Sequence, residues 1–185
     1  MTQDADISIA RLAVPHMDVG EHLDSILLRA DPTYVADMNQ TDKLPKKFRS
    51  DRGFALEILT TPGRQYGPLL IKGLGCAAVP LKFMEFLIHE PIDVVALYGS
   101  GVRVRVPQPA RYAVHKLIIG QQRRGTAIKA AKDFWQAGAL IEVLRSRDPD
   151  SLDDAIADAE NRGRTWKTLV RDGLKLAEAR LAQVT

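Results

Sequence analysis

The chain has little of several things, and each shortage narrows what it can be. A single cysteine, Cys76, among 185 residues rules out an internal disulfide framework and a cysteine-rich zinc site. Its Gly-Cys-Ala-Ala setting reads as structural rather than reactive, and a reducing cytoplasm fits. No run approaches the ~18 uninterrupted apolar residues of a membrane helix, and the start lacks the basic-then-apolar layout of a signal peptide. A cytoplasmic protein with no membrane partner is therefore expected. Charge of one sign is scarce too: 26 Lys and Arg stand against 23 Asp and Glu, a net +3, short of what a dedicated DNA binder carries. What is present is 45% hydrophobic content, enough for one ordinary core arranged in two lobes, with no internal repeat or low-complexity tract.

Alternation of period two marks a strand over Asp4–Ile9, and a helical pattern follows over Val19–Arg29, closed by Asp31-Pro32. In "KLPKKFRSDRGFALEILTTPGR" a strand on each side of Asp51-Arg52-Gly53 predicts a hairpin whose second strand is Phe54–Leu59. A further pair, Ile92–Tyr98 and Val102–Val106, surrounds Gly99-Ser100-Gly101, a three-residue loop with glycine where positive φ is needed. Beyond Pro109 the period becomes about 3.6. Helices are expected over Ala110–Gln122, Thr126–Arg145, Ser151–Asn161 and Arg164–Gln183. The outline is α+β: a mixed sheet with flanking helices over 1–108, then a helical lobe over 109–185.

Acids are out of place in two of these strands. Side chains alternate along a strand, so Asp4 and Asp6 project from one face. Two carboxylates so close repel unless a cation sits between them, and an oxygen-only pair suits Mg²⁺ or Mn²⁺ better than zinc. In "FALEILT" Glu57 is an acid among apolar neighbours, where burial costs several kcal/mol unless the charge is paired or coordinated. Three such acids on neighbouring strands could hold two metal ions for in-line phosphoryl or nucleotidyl transfer. The bland reading of Asp4 and Asp6 is a pair of solvated acids near a chain end.

The order Asp4-x-Asp6, then Glu57 in an apolar strand, resembles the polymerase-beta-like nucleotidyltransferase superfamily. "EILTTPGR" is similar to the strand and Thr-Pro exit of bacterial members, "VPQPARYAVHKL" to their Pro-x-Arg-Tyr-x-x-His-Lys-Leu segment, and "KAAKDFWQAGALIEVL" to their Lys-Asp helix. The resemblance implies a nucleoside triphosphate, ATP or another, bound through Mg²⁺ or Mn²⁺ on Asp4 and Asp6. It implies Glu57 as third ligand or base, with an NMP passed to a hydroxyl on a protein, an RNA or a small molecule. Members also carry a glycine-serine turn and helix ahead of the Asp-x-Asp pair, whose amides cradle the triphosphate. Only Met1 to Gln3 precede it here, so the first strand and that helix read as lacking. Glu57 stands where aspartate is more usual, one carbon–carbon bond longer.

Among basic residues, Lys116 and Arg123 lie seven apart on one helix face and are candidates to neutralise triphosphate, with Arg124 and Lys132 as further options. For the Arg123-Arg124 pair a solvated face is the commoner meaning, and His115 reads as packed rather than catalytic. Lys129 and Asp133 read as an i,i+4 surface pair. Arg103 and Arg105 fit edge-strand protection better than a nucleic-acid contact. Ile128, Ala131, Phe134, Trp135, Gly138 and Ile141, like Trp166, Leu169, Val170, Gly173, Ala177 and Leu181, have the spacing of core stripes. Two other functions compete: a catalytically incomplete relative that binds nucleotide or a partner chain, and a weak nucleic-acid-binding module using Arg103, Arg105, Arg123 and Arg124. An exposed first-sheet edge would favour a homodimer.

Overall fold

The computed structural model describes residues 4–10, 20–64, 67–123 and 127–183. The chain divides into two compact units, residues 1–85 and 86–185. The α+β class expected from the sequence is what the chain adopts.

The first unit is built on a six-stranded mixed sheet. Its strands are β1 (Asp4–Ile9), β2 (Val35–Asp37), β3 (Lys47–Arg49), β4 (Ala55–Thr60), β5 (Leu69–Ile71) and β6 (Cys76–Pro80). They run in the order β2-β3-β4-β6-β5, with β1 paired to β4. The expected hairpin at Asp51-Arg52-Gly53 forms, as β3 runs antiparallel to β4 and Gly53 takes a positive φ of 77°. β1 joins β4 in parallel over its whole length, and Thr60 Oγ1 donates to the Ile9 carbonyl at 2.8 Å where that pairing ends.

One face of this sheet is the core. Phe48, Leu56, Ile58, Cys76 and Ala78 pack with Leu23 of α1 (Leu23–Ala30), and Ala5 and Ile9 of β1 lie against them. The helix starts at Leu23, after Gly20, with φ of 64°, and non-helical His22; the expected start at Val19 lies outside the described residues. Gly75 closes a 3-10 turn over Lys72–Leu74 at φ of 63°, and a Cβ there would lie 2.8 Å from the His22 ring. Burial pushes the Cys76 thiol up to about 11, so this cysteine is packing, as its sequence setting suggested.

The short helix α2 (Met84–Leu87) spans the point in the sequence where the two units divide. In the second unit β7 (Ile92–Ala96) and β8 (Val102–Val106) form an antiparallel pair, followed by α3 (Pro109–Gln122), α4 (Ala127–Arg147), α5 (Pro149–Asn161) and α6 (Arg164–Leu181). Pro109 and Pro149 open their helices, where a missing N–H costs nothing, and the Asp148 carboxylate caps α5 through the Ser151 N–H. Ala113, Val114, Leu117, Ile118, Ala137, Ala159 and Val170 are sealed from water. Glycines let the helices close up: a Cβ on Gly173 of α6 would lie 2.7 Å from Leu117 Cβ, and one on Gly138 of α4 would lie 2.8 Å from Leu181. The core stripe expected on α4 needs correction, since Ile128 is 88% and Trp135 45% exposed while Gly138 and Ile141 are buried. Helical spacing names a face; what covers each end of it is decided by the neighbouring helices.

Candidate functional site

In the first unit the sheet face opposite the core carries the acids. Register pairs Asp4 with Ala55 and Asp6 with Glu57 across the parallel β1·β4 ladder. Side chains at paired positions leave the same face, and neighbouring strands lie about 4.8 Å apart. Asp6 and Glu57 are thus side by side, with Asp4 one pleat along the same face, and both aspartates are exposed. On the far side of Glu57, antiparallel pairing sets Lys47 of β3 against it, and the Lys47 ammonium is ion-paired to Glu57 Oε1. Asp6, Glu57 and Lys47 form one row across three strands. Lys46, one residue earlier, leaves the other way and binds Asp42 at 2.6 Å.

The chemistry of this donor set suits a divalent cation. Asp4 and Asp6 offer only oxygen, are open to water and share a face, which suits Mg²⁺: that ion is commonly held by one or two carboxylates with substrate phosphates completing its shell. Among the described residues no three His, Cys, Asp or Glu side chains are grouped so as to hold a metal on their own. The two aspartates fit an ion that takes the rest of its shell from water or a ligand, not one caged wholly by the described residues.

In the second unit Asp133 of α4 is the organising group. It is almost fully buried, and it receives Lys116 of α3 at 2.7 Å on one oxygen and Arg123 on the other. The expected Lys129–Asp133 surface pair is replaced by this buried one, because Asp133 faces α3 rather than water. Lys116 Nζ also lies 5.2 Å from the centre of the Tyr112 ring. Two cations thus share one carboxylate, leaving a local excess of positive charge, with Arg123 a third exposed. His115, beside Lys116, is buried with neither ring nitrogen hydrogen-bonded; burial, then the Lys116 charge, push its pKa down to about 4 against the opposing pull of Asp133. It is a packed neutral histidine.

Lys132 is not part of that cluster. It lines a shallow groove with Ile128, Ala131, Trp135 and Arg180. Arg103 and Arg105, from the nucleic-acid alternative, both bind Asp93 on the partner strand, and these bonds, Arg103's foremost, lower the Asp93 pKa despite its partial desolvation. Arg124 lies outside the described residues.

Sequence reasoning missed a second buried cation. Arg111 binds Asp158 at 2.5 Å and Glu90 at 3.4 Å and stacks over Phe86, whose ring also receives Arg162 and meets Trp166 edge-on. Burial alone would raise the Asp158 pKa, but hydrogen bonds from Arg111 and Arg162 outweigh it and the pKa is lowered. Lys47 was also missed. Its signal was its place in the hairpin: ten residues before Glu57, symmetric about Asp51-Arg52-Gly53.

The mixed sheet thus presents Asp-x-Asp and a neighbouring strand acid on one face. The nucleotidyltransferase family matches residues 1–161, most of the chain, and the chain belongs to that family. No match was found among curated proteins or among solved structures.

Proposed function

We propose that the chain is a polymerase-beta-like, bacterial nucleotidyltransferase that moves an NMP from a nucleoside triphosphate to an acceptor hydroxyl in the presence of Mg²⁺ or Mn²⁺. The observation that carries this reading is the register of β1 on β4, which sets Asp6 against Glu57 with Asp4 on the same face, in a chain of this family. Asp4 and Asp6 would hold the ion. When bound, it supplies charge neutralisation to the triphosphate and polarises the reacting phosphoryl oxygen.

The remaining work falls to the chain's own residues. Glu57 takes the proton of the acceptor hydroxyl as its oxygen attacks the α-phosphorus, and the bond from that phosphorus to the pyrophosphate breaks. The second unit carries its own cationic cluster, Lys116 and Arg123, whose shared carboxylate offsets only one of their charges, as a candidate contact for nucleotide phosphate. Lys132, in its own groove, is a further candidate. The acceptor is a hydroxyl of a protein side chain, an RNA end or a small molecule.

Binding of labelled ATP and the other NTPs, measured with and without Mg²⁺ or Mn²⁺, tests the reading. Metal-dependent binding by the wild type that disappears in Asp4→Ala/Asp6→Ala supports it. Binding indifferent to metal and to those substitutions leaves a nucleotide-binding relative without catalysis, and a fall in nucleic-acid affinity with salt in the absence of NTP binding leaves the third alternative.

A further inference from the structure

We propose that Lys47 occupies the position of a second cation in the acid row, so that this chain handles its nucleotide with one divalent ion, held by Asp4 and Asp6, rather than two. This rests on the nucleotidyltransferase reading above and adds to it the number of ions and a role for Lys47.

Three observations converge. First, the antiparallel β3·β4 register and the parallel β1·β4 register place Lys47 and Asp6 on opposite flanks of Glu57, all three on one sheet face. Second, the Lys47 ammonium is paired to Glu57 Oε1, and the lysine stem is largely covered, 26% exposed, so the cation is held in the row rather than waving in water. The neighbouring Lys46 binds Asp42 instead, so the charge on this face belongs to Lys47 alone of the two. Third, among the described residues no three acids are grouped for a metal, as they would be if Glu57 leaned toward Asp4 and Asp6.

A second divalent ion in this row would need an oxygen of Glu57. To obtain it the ion would have to displace Lys47 or sit beside its ammonium. The ammonium and a divalent ion, held a few ångströms apart, would repel each other. The Lys47 charge therefore both satisfies Glu57 and excludes the ion that would otherwise bridge Glu57 and the aspartates. Lys47 is a positioning residue: it holds Glu57 out of the metal's shell, available as a proton acceptor.

Counting bound Mn²⁺ by electron paramagnetic resonance, on the full chain saturated with a non-hydrolysable ATP analogue, tests this. The wild type and Lys47→Arg should each bind about one Mn²⁺ per chain, and Lys47→Met about two, returning to about one in Lys47→Met/Glu57→Gln. Rescue by arginine with failure of methionine separates a charge role from simple packing. One ion in both wild type and Lys47→Met, or two in the wild type, overturns the role of Lys47 while leaving the proposed function standing. No bound Mn²⁺ in the wild type overturns both.

Discussion

Replacing Asp133 by asparagine keeps the shape of the side chain and removes the charge that two cations share. Lys116 keeps only 15% of its side chain exposed and sits 2.7 Å from the carboxylate, so it cannot simply turn to solvent. Removing one partner of a buried pair costs about 3–5 kcal/mol, most of it the stranded charge. The low end applies, because Tyr112 still faces the ammonium and Arg123, a third exposed, can hydrate. Asp133→Asn should therefore destabilise by ~3 kcal/mol, which in a chain of this length lowers the melting temperature by about 6–12 °C. Lys116→Met/Asp133→Asn removes the stranded ammonium along with its partner and should recover more than half of that loss. Urea denaturation followed by far-UV circular dichroism, with the slope checked for constancy, measures both. Asp133→Asn within ~1 kcal/mol of wild type, or a double variant no better than the single one, would refute the claim that Asp133 compensates buried positive charge.

His115 gives a pH prediction. Its folded pKa of about 4 lies below the ordinary value of 6.5, so the unfolded chain takes up the proton first, and stability present above about pH 6.5 is lost as pH falls toward 4. The loss approaches ~3 kcal/mol, in the presence of the same neighbours Lys116, Asp133 and Arg123, and His115→Leu should flatten that acid limb in pH-dependent denaturation; an unchanged slope would mean another group titrates. Gly173→Ala would normally gain ~1 kcal/mol of helix propensity. Here the new Cβ meets Leu117 Cβ at 2.7 Å and its carbonyl oxygen at 2.9 Å, and since backbone cannot swing aside, a net loss of about 1–2 kcal/mol is expected by thermal melting.

Local pattern carried a good deal of this protein. Period-two alternation put Asp4 and Asp6 on one face, glycine-centred loops marked both antiparallel hairpins, and 3.6-residue spacing found the four helices of the second unit near their observed bounds. The short strands β2, β5 and β6 were not legible, since three to five residues hold too little alternation to stand out. Ile128 and Trp135 were assigned to a core they do not reach, and Asp133 to a surface it does not touch. In each case spacing identified a face of a helix, while the partner of that face came from a residue far along the chain.

The order of residues by itself settled which side chains share a strand or helix face, because that depends only on backbone geometry and runs with a fixed period. Tertiary structure alone decided which faces meet. That Asp6 lies beside Glu57 and that Asp133 lies between Lys116 and Arg123 are pairings between separate elements. They are chosen by strand register and by the charges and apolar surface that burial obliges to find partners, and no local pattern encodes them.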